Sequence, residues 1–155
     1  MKLSGALPLE GIVTLRHIRN GKILSEQTFS NTVVTVGIDQ VAGLINGVRD
    51  TAFTYLRLGT SGTQTSASNT DLLAGITAGS LAPAASTATQ ITTDTTNDSA
   101  YLVHSWASTG SYTVKEIAIA TSATGGRILS RTTNFAAVGL TSGDNLTAYY
   151  SVDVD

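Results

Sequence analysis

Short runs rich in Val, Ile, Thr, Leu and Tyr, each closed by Gly, Asn, Asp or Ser, follow one another along almost the whole chain. This punctuation constrains the fold more than any other feature. Segments of this length and composition read as strands, and they leave no room for the repeated crossover helices of an α/β protein. The clearest pair spans 10–19 and 22–30, separated by Asn20-Gly21. Both central residues of a type I′ turn need positive φ, which Asn and Gly tolerate, so the spacing predicts an antiparallel hairpin. Further strands are expected at 53–58, 88–93, 99–107, 111–120, 127–133 and 145–154. The stretch from Ala74 to Thr87, rich in Ala, Gly and Ser, carries no clear pattern.

One segment departs from the strand pattern. Between Gly37 and Gly47, residues Ile38, Val41, Ala42, Leu44 and Ile45 share one side at helical spacing. Asp39 suits a first turn and Asn46-Gly47 can end the helix. A short helix laid by its apolar side over a face or end of the sheet is expected. The fold class is therefore all-β, a β-sandwich or jelly-roll-like arrangement with one short helix.

At 155 residues the chain fits one domain, whose core can bury roughly two thirds of the unfolded surface. That domain is expected over 10–155, with 1–9 as an N-terminal arm. Leu3, Leu7, Pro8 and Leu9 make the first segment apolar, yet it is too short for a core of its own. Pro8 cannot donate a ladder hydrogen bond and biases Leu7 towards extended backbone. These four residues are candidates for contact with a neighbouring subunit; a frayed end or one folded back on its own sheet are the alternatives.

Charge is unusually scarce. Asp, Glu, Lys and Arg make up 13% of the chain, against about 25% in an ordinary soluble domain. Ser and Thr, 41 residues in all, take their place. A neutral surface of this kind is poorly protected against association and suits a protein that spends its life assembled. The net charge of −2 and nine scattered basic residues oppose a nucleic-acid role, which needs clustered Lys and Arg. No apolar run approaches the roughly 20 residues that span a bilayer, and Met1-Lys2-Leu3-Ser4-Gly5 lacks the apolar stretch of a secretory signal, so no membrane partner is expected. With no cysteine there is neither a disulfide framework nor thiolate chemistry.

Motifs that would carry catalysis are incomplete. His17 and His104 have no second ligand at helical or hairpin spacing. Gly59-Thr60-Ser61-Gly62-Thr63 lacks the lysine that a phosphate loop places before its Ser or Thr, and reads as a strand-to-strand loop. Asp94 and Asp98 could gather around calcium, but their spacing is not that of an EF-hand and suits a turn. The expectation is a protein that is not an enzyme and uses no cofactor or metal. Tyr101, Trp106 and Tyr112 flank a hairpin and could form an aromatic platform for a sugar or a partner protein, with ordinary core packing as the alternative.

Several segments carry a resemblance. They are Ile12-Val13-Thr14-Leu15-Arg16-His17-Ile18-Arg19-Asn20-Gly21, Asn31-Thr32-Val33-Val34-Thr35-Val36-Gly37, Tyr55-Leu56-Arg57-Leu58-Gly59-Thr60-Ser61-Gly62-Thr63 and Val114-Lys115-Glu116-Ile117-Ala118-Ile119. Gly126-Arg127-Ile128-Leu129-Ser130-Arg131-Thr132 and the strand after Gly143-Asp144 complete the set. In this order they resemble small β-rich virion accessory proteins of tailed bacteriophages, a group that includes capsid decoration (cement) proteins and tail- or fibre-associated proteins. The resemblance implies a non-catalytic structural protein, made in the host cytoplasm and carried on the particle surface. It implies a homo-oligomer, a trimer being favoured, that binds the major capsid protein or another virion protein. A tail or fibre domain that binds a host-surface glycan or protein is the alternative within the group.

Overall fold

The computed structural model describes residues 9–154. Its strands are β1 (Leu9–Arg19), β2 (Lys22–Ser30), β3 (Thr32–Val33), β4 (Tyr55–Gly59), β5 (Ala84–Ala85), β6 (Thr87–Ile91), β7 (Ser99–Ala107), β8 (Tyr112–Val114), β9 (Glu116–Ala120), β10 (Ile128–Thr132), β11 (Val138–Leu140) and β12 (Asn145–Val154). Helix α1 covers Thr35–Ile45, and a single 3₁₀ turn covers Gly79–Leu81. The chain is thus all-β with one short helix.

The β1–β2 hairpin forms as its turn chemistry requires: Asn20 and Gly21 have φ of 50° and 73°. β1 also pairs antiparallel with β12 from Leu9↔Val154 to Ile18↔Asn145. Leu9, expected in the arm, is therefore the first residue of this strand and packs partly buried against the protein's own core. The rest of the arm lies outside the described residues.

Two five-stranded antiparallel sheets, ordered β2-β1-β12-β7-β6 and β3-β10-β9-β4-β5, face each other across one core, and a small β11-β8 pair adjoins them. The first sheet contributes Val13, Leu15, Leu102, Trp106, Leu146 and Tyr150, and the second Leu56, Leu58, Ile117, Ile119 and Leu129. At each side of this sandwich the chain changes sheet through one residue. Asn31 links β2 to β3, and Ser86 links β5 to β6. Asn31 Nδ2 donates to Tyr150 Oη at 2.8 Å, which anchors one crossing to the core. Burial holds the Tyr150 phenol well above its ordinary pKa.

The second sheet is covered on both faces, which explains its unbroken apolar run. Ile117 and Ile119 point into the main core, while Ala118 and Ala120 pack with Val34, Leu72 and Ile128 beneath the helix and the loop after β4. The single strand expected at 111–120 is two strands, divided at Lys115, whose amide bonds Gly59 O at 2.9 Å.

Candidate functional site

Helix α1 lies on β10 with its smallest side down. Gly37, Gln40 and Gly43 are its buried residues. A Cβ on Gly37 would sit 2.5 Å from Leu129 O and 2.6 Å from Leu129 Cα, so helix and strand meet backbone to backbone. Val34 N bonds Leu129 O at 3.0 Å and Gln40 Nε2 bonds Thr51 O at 2.7 Å, which fix the helix in this roll. No isoleucine could enter that gap. The expected packing side is therefore reversed for its largest members: Ile38 is 55% exposed and Ile45 82%, with Ala42 exposed between them. Val48, just beyond the helix, is 79% exposed and continues the stripe. Only Val41 and Leu44 of the expected set are partly buried. At the margin Asp39 pairs with Arg49 at 2.7 Å and with Arg127.

A second surface is the outer face of the first sheet. Strand register lays its side chains in rows: Ser30, Ile12, Ser151 and Tyr101; then Thr28, Thr14, Tyr149 and Val103; then Glu26, Arg16, Thr147 and Ser105. These rows enclose a shallow groove of about 470 Å³. Arg16 Nε meets Glu26 Oε2 at 2.5 Å, Nη1 donates to Tyr149 Oη at 3.1 Å, and the guanidinium carbon lies 5.1 Å from the centre of the Tyr149 ring. The carboxylate and the ring hold the cation in place. Tyr101 lines the same groove, its phenol pKa raised by burial.

The three aromatics expected to form one platform are separated. Tyr101 and Trp106 are five residues apart on β7 and so point to opposite faces. Trp106 is 3% exposed, its ring edge-on to His104 at 4.7 Å and its Nε1 donating to Ala82 O at 3.0 Å, so it belongs to the core and not to a platform. Tyr112 stands on β8, partly buried against the same core. Tyr101 meets Tyr149 and Arg16 instead, a pairing across the β7–β12–β1 ladders that linear spacing does not reveal. Leu3, Leu7 and Pro8 lie outside the described residues.

Several other polar clusters hold the structure together. Asp144 accepts from Arg19 Nε at 2.7 Å and Nη2 at 2.8 Å, from His17 Nε2 at 2.9 Å and from the Thr141 amide at 2.8 Å. The Arg19 bonds above all hold its carboxyl far below the usual range. Ser108, whose amide bonds Asp144 O, gives its hydroxyl to Gly110 O, and the Thr141 hydroxyl donates to Asp144 Oδ2 at 3.2 Å. In the loop that resembles a phosphate binder, Ser61 N bonds Glu116 Oε1 at 3.4 Å and Thr63 O accepts from Arg131 Nη2 at 3.0 Å. The protein's own carboxylate occupies the place of an anion. Asp98 accepts from the Thr93, Asp94 and Thr95 amides and the Thr93 hydroxyl. Desolvation opposes its ionisation, yet these bonds hold its pKa well below the usual range. Among the described residues no group of three or more His, Cys, Asp or Glu could hold a metal.

Comparison with family models, curated proteins and solved structures finds no match.

Proposed function

We propose that this protein is an accessory structural subunit of a tailed-bacteriophage particle, a capsid decoration protein that binds the coat through helix α1. The observation that carries the reading is the reversed helix. The close contact of Gly37 with β10 fixes the helix, but a monomer in water gains nothing from the exposure of Ile38 and Ile45 that comes with it, whereas a subunit that buries this stripe against another protein does. The scarcity of charge supports the same reading, since it lowers the desolvation cost of a large contact. The major capsid protein, or another virion protein, is the partner, and self-association accompanies it. A ligand that binds only the assembled shell stabilises it by about 2.7 kcal/mol when present at a hundredfold excess over Kd. Repeated over a particle, weak contacts give a strong total.

Cryo-electron microscopy of native particles carrying a tagged copy of the chain tests this directly. Density repeating with the capsid lattice is expected, and density confined to the tail, or none, refutes it. Ile45→Glu should abolish retention on particles while leaving the fold intact, because Ile45 makes little contact with its own domain.

A second reading has its own support. The groove that joins Tyr101, Tyr149, Arg16 and Glu26 combines aromatic rings with fixed polar groups, the composition of a saccharide site, and would suit a tail or fibre domain. Glycan-array binding that Tyr101→Ala and Tyr149→Ala both remove would favour it over the coat-binding reading.

A further inference from the structure

The two large sheets end in four edge strands, β2 and β6 in the first and β3 and β5 in the second. A bare edge offers a row of N–H and C=O groups to any extended chain, and proteins blunt such edges by shortness, charge, proline or a bulge. Three of these four are blunted. β3 and β5 are two residues long. β2 carries Lys22 and Glu26, and its register against β1 breaks opposite His17 and Ile18.

β6 has none of these devices. Thr87-Ala88-Thr89-Gln90-Ile91 holds no charge and no proline, pairs with β7 in unbroken register, and is exposed along its first four residues. The uncharged run extends from Ala84 to Thr93 without a glycine. Among the described residues no strand pairs with the outer edge of β6, and threonine and isoleucine favour extended backbone, so this edge is shaped for addition of a strand.

We infer that β6 is a contact between two copies of this chain, which pair antiparallel about a two-fold axis at Thr89 and join their first sheets edge to edge. The choice of a second copy rests on self-complementarity. In this register Thr89 faces Thr89 of the partner subunit, and Thr87 faces Ile91 of the partner subunit, on the face that also carries Val103, Tyr101 and Ser99. The Thr–Thr cross-strand pair is of the stabilising kind, the Thr–Ile pairs set β-branched side chains side by side, and no like charges meet. A charged foreign strand would find no counter-charge on this edge. The site is distinct from the helix stripe, so it does not depend on coat binding. A two-fold contact closes at two copies, unlike the trimer that the resemblance favours. A five-residue strand covers far less than the about 800 Å² per side of a standard interface, so the dimer is weak in solution and strengthens where copies share a surface.

Sedimentation velocity of the full chain from about 10 μM to about 1 mM tests the inference, a range that brackets weak association. A reversible monomer–dimer equilibrium is expected. Thr89→Lys places like charges opposite each other and should weaken the dimer by about tenfold or more. Its circular dichroism and melting should match the wild type, since residue 89 is exposed. The chain has no cysteine, so Thr89→Cys reports the register: mild oxidation should link two copies efficiently. Ile91→Cys should link far less, because its counterpart is Thr87 and not itself. A monomer throughout, a trimer, or a dimer that Thr89→Lys leaves unchanged and Thr89→Cys fails to link would each overturn the inference.

Discussion

Arg131 Nε meets Glu116 Oε2 at 2.7 Å where neither side chain reaches solvent. Neither side chain leaves a buried nitrogen or oxygen without a partner. Glu116 also accepts from the Leu73 amide at 3.1 Å and the Ala74 amide at 2.7 Å, while Arg131 Nη1 donates to Asn69 Oδ1 at 3.2 Å. Beside it Arg57 pairs with Asp71 at 2.9 Å, and Ala118 between the two arginines is small enough to admit both. The long loop after β4 is thereby clamped to the sheet. Glu116→Ala should destabilise the protein by about 3–5 kcal/mol, because it strands a buried guanidinium. Denaturant unfolding checks this, and the double variant Glu116→Leu with Arg131→Met should lose less than Glu116→Ala alone. A loss under about 1 kcal/mol for Glu116→Ala would place the pair in the class of surface ion pairs.

Two glycines should fail for different reasons. Gly21 has φ of 73° and open space around it, so Gly21→Val costs only its backbone conformation, about 1–2 kcal/mol. Gly37→Ala puts a methyl group against the Leu129 backbone and should cost about 1–3 kcal/mol by forcing the helix off β10. Limited proteolysis should then cut within 35–48 in the Gly37→Ala protein and not in the Gly21→Val protein. Equal resistance of both would contradict the close helix–strand contact.

Acid should act through Asp144. Its folded carboxyl lies below the unfolded value, so the stability it confers is complete above the ordinary carboxylate range near about 4 and is lost as pH falls below it. Asp144→Asn should lower Tm at neutral pH and flatten the acid limb of Tm against pH. His104 adds a separate slope. Burial lowers its pKa, partly offset by a backbone bond to Ala85, so protonation favours the unfolded chain and stability falls as pH drops through about 6.5. His104→Gln should remove that slope and leave the acid limb.

Calcium should not change the melting temperature, and nor should a chelator. The Asp98 carboxylate is already filled by backbone donors and the Thr93 hydroxyl. A shift of several degrees with millimolar calcium, reversed by EDTA, would show that those donors yield to a cation.

Local rules were legible wherever local chemistry decides the outcome. Asn20-Gly21 placed the first hairpin, and the strands at 99–107 and 145–154 match the structure because alternation and turn residues bound them on both sides. The helix was legible in position but not in orientation. Its apolar periodicity points to Ile38 and Ile45, whereas the roll is decided by how closely Gly37 approaches β10, a tertiary fact that overrides pattern. The short strands β3, β5 and β11 carry too few residues to show a period. Glu116 and Arg131 look in sequence like solvent-facing strand positions; the covering loop that buries them is remote from both. For the groove, Tyr101 was legible as an aromatic on a strand, but Tyr149 and Arg16 join it only through the ladder pairings of β1, β12 and β7.

The pairing of Leu9 with Val154 gives the molecule a direction of mechanical weakness. Pulled apart at these two residues, β1 and β12 bear the load on one rung at a time, so the ladder opens like a zip and each bond breaks alone. Pulled at Arg19 and Val154, the same ladder is loaded along its length and its rungs must break together. Single-molecule stretching through handles at 9 and 154 should rupture at clearly lower force than through handles at 19 and 154. Equal forces would mean that the core between the sheets, and not this ladder, bears the load.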